Sequence, residues 1–225
     1  MIPRSNELLA HIPDDEYQAI ASGMKLVSLI KGQTLFECGQ IPAEVHYPVG
    51  AVVSMMMDLN DGYTVEAHMF GKSCMVGVGA VGVPSFYRAK VRSSGLAYRL
   101  CVDDLKRAWS SCPNYANGAQ KTVHRLVQQL SQSVVCSKRH SVDQQLIKWI
   151  LITLDRTFSE TVPITHQELS ELLGFRREAV TLALGKLCDS GLIACCRGQL
   201  TVCHREALES LSCDCYWMGQ GRSRC

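Results

Sequence analysis

The stretch Ile164-Thr-His-Gln-Glu-Leu-Ser-Glu-Leu-Leu-Gly-Phe-Arg-Arg-Glu-Ala-Val-Thr-Leu-Ala-Leu-Gly-Lys-Leu187 reads as two short helices joined by a tight turn. Thr165 followed three residues later by Glu168 has the form of a capping box, in which two orphan N–H groups at a helix start are satisfied reciprocally. Leu169, Leu172 and Leu173 give that helix an apolar stripe. Gly174 stops it, because glycine enters the left-handed region without a steric penalty. The second helix is expected from about Arg176 to Cys188. On a helical wheel Val180, Ala183, Leu184 and Leu187 share one face, and Glu178, Thr181, Leu182 and Gly185 share the opposite one, with Arg177 at its edge. A helix packed behind and polar in front, after a short turn, is how a recognition helix enters a major groove. The spacing alone fits an ordinary helical hairpin with a solvated outer face equally well.

The flanking sequence breaks that tie. Downstream, Asp189-Ser-Gly-Leu-Ile-Ala-Cys-Cys-Arg-Gly-Gln-Leu-Thr-Val-Cys203 predicts two short strands around a hairpin tip at Arg197-Gly198. A helix-turn-helix followed directly by such a hairpin is a winged helix, and the hairpin brings a basic residue to its tip. Upstream, Thr161-Val-Pro-Ile is extended, and before it a helix starting at Ser141 carries Leu146, Ile147, Ile150, Leu151 and Leu154 on one side. Further upstream, Asn114–Val135 predicts a longer helix with Val123, Val127, Leu130 and Val134 spaced four, three and four. That narrow stripe is a coiled-coil seam of about two heptads, favoured over packing on the chain's own core, which wants a wider stripe.

The N-terminal half has a different period. Residues Asn6–Met24 predict two short helices broken at Pro13, with Asp14 as N-cap and Gly23 as stop. From Lys25 the runs are short and β-like: Lys25–Ile30, Thr34–Glu37, Val45–Tyr47, Ala51–Asp58 and Tyr63–Phe70, then Arg88–Arg92 and Leu96–Val102. Glycine-bearing turn signals separate them, and Asp61-Gly62 is the strongest hairpin signal. Runs this short and regular predict a small sandwich or barrel. Gly71–Pro84 is glycine-rich and mostly apolar, a short helix or a backbone cradle. Asp103 and Asp104 are placed to cap a further helix ending before Pro113.

Composition narrows the function classes. A net charge of +2 over 225 residues gives no broad basic field, so any nucleic-acid contact has to come from local clusters. Such clusters exist: Lys121, Arg125, Lys138 and Arg139 lie in a stretch without carboxylates, and Arg176-Arg177 opens the second helix. The start Met1-Ile-Pro-Arg-Ser-Asn-Glu lacks a signal-peptide pattern, and no apolar run reaches the ~18 residues of a membrane span. The twelve cysteines are scattered through a chain whose apolar share of 47% can build a core unaided, so reduced thiols and a cytoplasmic location are expected. No nucleophile–base motif, phosphate-binding loop or dinucleotide fingerprint occurs, so no enzyme is expected. No cofactor is expected either.

On these residues the chain resembles the cyclic-AMP receptor protein and fumarate–nitrate regulator (CRP/FNR) family of bacterial transcription factors. The resemblance runs from Asn6-Glu-Leu-Leu through Cys215-Tyr216, and includes Val45–Ser54, Asp61–Glu66, Met75-Val-Gly77, Cys136-Ser-Lys-Arg-His-Ser-Val142 and Cys213-Asp-Cys-Tyr216. It implies an α+β chain with an N-terminal, cyclic-nucleotide-binding-like β-roll over 1–113, a dimerisation helix over 114–140 and a winged helix-turn-helix over 141–225. The implied partners are double-stranded DNA, a second copy of the chain, RNA polymerase and a small-molecule effector. The family's reading helix opens with Arg-Glu, matched here by Arg177-Glu178. Arginine can donate to guanine O6 and N7, and glutamate can accept from cytosine N4. Thr181 and Leu182 complete the expected base-reading set. Leu182 stands where members resembling the cyclic-AMP receptor carry a further arginine, and a leucine reaches only a thymine methyl. Phosphate positioning falls to Thr165, His166, Arg176, Lys186 and Arg197.

The sensor half departs from the family pattern. Cyclic-nucleotide binders show Gly-Glu and, later, Arg-Ser-Ala or Arg-Thr-Ala. Here Gly71 is followed by Lys72-Ser73, and Arg88 directly by Ala89, so the ribose carboxylate is missing and the arginine is out of register. The branch therefore lacks the cyclic-nucleotide motif, although Gly71, Lys72, Ser73 and Arg88 remain the candidate effector pocket. Arg88 is expected as a surface strand residue. The first cysteine, Cys38, has no near partner, which argues against an iron–sulfur sensor. Haem ligation by His46, His68, His124 or His140 is disfavoured against structural or surface roles. Among the late cysteines, Cys195-Cys196, Cys203, Cys213-x-Cys215 and Cys225, none has zinc-knuckle spacing, so no metal site is assigned. A thiol- or metal-responsive role for Cys213 and Cys215 is the alternative to thiols that simply fill a core.

Overall fold

The computed structural model describes residues 3–77, 82–157 and 159–219. These fall into two compact units: residues up to Met57 together with Ala67–Val127, and Asp58–Glu66 together with those from Gln128 onward.

The first unit starts with α1 (Glu7–Ala10) and α2 (Asp14–Ala21). Asn6 caps α1 and is itself buried, its side-chain oxygen accepting the Leu8 N–H at 3.1 Å while its amide donates to Pro48 and Cys74 carbonyls. All the polar capacity that burial would leave costly is thus used. Asp14 is the first helical residue rather than the N-cap, a place Pro13 takes with its fixed φ and no side-chain bond. The predicted β-runs follow as β1 (Lys25–Leu29), β2 (Thr34–Phe36), β3 (Glu44–Pro48), β4 (Val52–Asp58), β5 (Thr64–Phe70), β6 (Arg88–Ser93) and β7 (Gly95–Cys101). They form two antiparallel sheets in the orders β1-β7-β3 and β2-β6-β4-β5. Tyr47, Leu100 and Met75 meet Leu9, Tyr17 and Ile20 in one core, which α3 (Val102–Ser111) and the start of α4 (Pro113–Arg139) close with Leu105 and Tyr115. Asp103 and Asp104 lie in the first turn of α3, and the cap position is Cys101, without a side-chain cap bond.

Residues 71–77 are not helical. Val76 forms a β-bridge with His46, and Gly77 follows at φ +94°. Of the rest of the Gly71–Pro84 expectation, residues 78–81 lie outside the described residues, and 82–84 are not helical.

Helix α4 (Pro113–Arg139) is 27 residues long. Its first free N–H groups are capped from a distance in sequence: the Glu16 carboxylate accepts from the Asn114 and Tyr115 backbones and from the Asn114 side chain. A carboxylate there also faces the positive end of the helix dipole.

The second unit packs α5 (Val142–Thr157), α6 (His166–Leu173), α7 (Arg177–Asp189), α8 (Arg205–Leu211) and α9 (Asp214–Gly219) with a three-stranded sheet. Ser141 accepts the Gln144 N–H as the N-cap of α5, and Leu146, Ile147, Ile150, Leu151 and Leu154 are buried. The sheet has the order β8-β10-β9, with β9 (Ile193–Cys196) and β10 (Gln199–Val202) as the predicted hairpin. Its third strand, β8 (Thr161–Pro163), is the extended segment before α6, paired Leu200 to Val162.

Candidate nucleic-acid interface

The turn between α6 and α7 has the local chemistry its sequence demands. Glu168 Oε2 accepts the Thr165 N–H at 2.8 Å, and Thr165 Oγ1 accepts the Glu168 N–H at 3.1 Å. Gly174 sits at φ +69°, ψ +27° and closes α6. Val180, Ala183, Leu184 and Leu187 are buried, so α7 has a fixed back, and Arg177, Glu178, Thr181 and Leu182 are exposed on the other side. Leu182 is 64% exposed, an apolar side chain with no packing role in the single chain.

The wing is tied to the entry of α6. Arg197 (φ 48°) and Gly198 (φ 77°) form a two-residue turn between Cys196 and Gln199, the geometry that matches strand twist in tight hairpins. The Ile164 N–H donates to the Gly198 carbonyl at 2.9 Å. Between wing and helices lies a cleft of about 280 Å³ whose walls include Thr165, His166, Arg177, Cys195 and Arg197. Four expected contact residues, Thr165, His166, Arg177 and Arg197, from the start of α6, α7 and the wing, therefore open onto one cleft. Arg176, Arg177 and Arg197 are exposed along this face, a local positive charge on a chain with little net charge.

Two expected phosphate residues have other engagements. The Thr165 hydroxyl accepts from the Glu168 N–H and donates to its carboxylate, which also accepts the Thr165 N–H, so both donors of this residue are already used within the capping box. Lys186 Nζ is 2.8 Å from Asp143 Oδ2, which ties α7 to α5. His166 Nδ1 shares a hydrogen bond with Thr181 Oγ1 at 3.1 Å, linking a phosphate candidate to a base-reading one.

In the first unit, the candidate effector residues are drawn to different acids. Lys72 Nζ is 3.7 Å from Glu7 Oε1, and Arg88 Nε is 3.8 Å from Glu37 Oε2. Arg88 is not the open surface residue expected: its side chain is 23% exposed, on the half-buried face of β6 that it shares with Lys90 and Arg92. Along α4, Val127 and Val134 are exposed at 56% each, while Val123 and Leu130 are half-buried.

The sequence reading missed one grouping. Cys136 and His140, four apart at the end of α4, meet Cys213 and Cys215 at the start of α9, with all four donor atoms within 4.8 Å of one another. The i, i+4 spacing of Cys136 and His140, which puts them on one helical face, was the available signal. The Cys136 hydrogen bond, and then the nearby His140, hold the Cys213 thiol down at about 5 despite burial, and Cys136 is pushed up by the same bond.

Residues 144–211 match the Crp-like helix-turn-helix domain. A global nitrogen regulator from Synechococcus elongatus is 23% identical over 223 residues, covering 92% of this chain and 98% of that protein. A CRP-family transcriptional regulator from Thermus thermophilus superposes with a TM-score of 0.70 at 16% identity, covering 82% of this chain and 95% of that one. FixK2 from Bradyrhizobium japonicum gives 0.69 at 15% identity, covering 84% and 98%. At such identities the structural likeness speaks for the fold, which is that of these regulators. The resemblance drawn from the sequence therefore holds at both the domain and the fold level.

Proposed function

We propose that this chain, with its Crp-like helix-turn-helix domain and CRP-type fold, is a transcription regulator that binds DNA sequence-specifically as a homodimer. The observation that carries the reading is the outer face of α7, on which Arg177, Glu178, Thr181 and Leu182 stand exposed over a buried helix back, with Arg177 sharing a cleft with Arg197 of the wing. Arg177 donates to a guanine, Glu178 accepts from a cytosine, and Leu182 rests on a thymine methyl. His166, Arg176, Arg197 and the N-terminal backbone of α6 hold phosphates, fixing register. The valine seam of α4 pairs two chains, so that the reading helices meet successive major grooves ~34–36 Å apart on a near-palindromic operator. The working division is a sensor over 1–113, a dimer helix over 114–140 and a DNA-binding domain over 141–225. Among the described residues no helix is long and apolar enough to cross a membrane. RNA polymerase and a small-molecule effector complete the proposed partners.

Selection of bound DNA from a random pool, with and without cell extract, tests this reading. A two-fold symmetric consensus is the expected result, and enrichment of no sequence under either condition overturns it.

A further inference from the structure

Four soft donors converge at one point of the second unit, from two segments 77 residues apart in sequence. Cys136, Cys213 and Cys215 form a buried cluster of their own, separate from the aliphatic core, and His140 turns Nδ1 toward it. Cys136 Sγ and Cys213 Sγ are 3.9 Å apart, and Cys215 Sγ lies 3.4 Å from His140 Nδ1. A tetrahedral ion with metal–sulfur bonds of ~2.3 Å and metal–nitrogen bonds of ~2.0–2.1 Å has ligand–ligand edges of ~3.5–3.8 Å. The 3.9 and 3.4 Å separations come within ~0.1 Å of those edges, and all four donor atoms lie within 4.8 Å of one another. A disulfide instead needs sulfurs at ~2.05 Å, and these cysteines are free thiols.

We propose that Cys136, His140, Cys213 and Cys215 form a Cys3His site for one divalent zinc-type ion, which clamps the start of α9 onto the end of α4. Soft thiolates with one imidazole select zinc over the oxygen-seeking cations. The surroundings fit an anionic cluster. The Gln132 amide donates to Cys215 Sγ at 2.9 Å, and the Lys148 ammonium, 3.5 Å from Ser133 Oγ, brings a positive charge to the turn of α4 that precedes Cys136. Three thiolates and a neutral imidazole leave the loaded site with a net charge of −1, which Lys148 offsets. Metal entry releases the thiol protons to solvent. The ion closes a long loop containing α5 to α8, so it braces the winged helix against the dimer helix segment that precedes it. The inference stands whether or not the chain binds DNA.

The test is metal analysis of the full chain purified under reducing conditions without chelator, followed by cobalt substitution. One zinc per chain is expected, released by a thiol-specific mercurial. Cobalt should give the visible bands of a tetrahedral ion and near-ultraviolet thiolate charge transfer. Cys136→Ser, Cys215→Ser and His140→Ala should lose the metal, whereas the exposed-site variants Cys38→Ser and Cys203→Ser keep it. Gln132→Ala should weaken zinc ~10–100-fold, the usual effect of removing a bond to a ligand atom. Absence of metal from the unmodified chain, a cobalt spectrum without thiolate charge transfer, or a Cys136–Cys213 disulfide in its place overturns the proposal. The cobalt spectrum is read on the unmodified chain, so a variant that fails to fold does not decide the matter.

Discussion

His166 Nδ1 and Thr181 Oγ1 stand 3.1 Å apart, so the first residue of α6 is fastened to the outer face of α7. A residue expected on a phosphate and a residue expected on a base thus move as one. An exposed hydrogen bond of this kind contributes ~0.5–1.5 kcal/mol, so Thr181→Val should lower the melting temperature only slightly. Its effect on operator affinity should equal that of His166→Ala, and the double variant should lose no more than either single one. Fluorescence anisotropy on the four proteins checks this. Fully additive losses would mean that the two side chains contact DNA independently.

Arg177 is exposed at the first position of α7, away from the buried Val180–Leu187 back. Arg177→Ala should therefore leave thermal stability within ~0.5 kcal/mol. Operator affinity should fall by ~1–3 kcal/mol, with discrimination relaxed at one base pair in each half-site. Binding measured on single-base operator variants separates this from a uniform loss on all sequences, which would make Arg177 a phosphate contact.

Much of this interface was readable in the chain because each signal was local. Thr165 with Glu168, Gly174, and Arg197-Gly198 are requirements of caps and turns, which neighbours in sequence decide among themselves. The same holds for the seven β-runs. What escaped depends on residues far apart meeting. Glu16 was not foreseen as the cap of α4, because Asn114 and Tyr115 lie 98 and 99 positions away. Pro163, a residue that resists inner strands, hid the role of β8 at the edge of the wing sheet. Arg88 is half-buried rather than open because alternation along β6 assigns a side chain to a face but not what packs over that face. Cys136 and His140 share one helical face but meet Cys213 and Cys215 only across 77 and 75 residues, which no local spacing reveals.

Acid should weaken the first unit in two stages. The His46 imidazole is buried opposite Arg99 on the neighbouring strand, and burial first, then that arginine, pull its pKa down to about 4 from 6.5. The unfolded chain takes up this proton at the higher pH, so the associated stability is complete above pH 6.5 and declines toward pH 4. A shift of this size corresponds to about 2–4 kcal/mol. For Glu16, burial raises the pKa, but the bonds from Tyr115 and Asn114 outweigh it and leave it lowered. Its contribution is therefore present above pH 4.5 and lost below it. Urea melts across this range should show His46→Leu flattening the slope above pH 4.5 and Glu16→Gln affecting only what lies below. A slope unchanged by His46→Leu would assign the upper stage to another group.

Val127 and Val134 are each 56% exposed on the single chain, one heptad apart on the same stripe of α4. Valines left in water contribute little to the fold of one chain, so Val127→Glu with Val134→Glu should change its unfolding free energy by less than ~0.5 kcal/mol per site. In a paired seam the same side chains face their own copies across a two-fold axis. Each substitution then removes ~1.5–3 kcal/mol of apolar burial per chain and sets like charges against one another. Sedimentation equilibrium should show the unmodified chain at twice the monomer mass and the double variant at the monomer mass. Affinity for the full operator should collapse toward that for a half-site. If the double variant stays dimeric, pairing uses another face of the helix, and the spacing of the two reading helices has to be reached some other way.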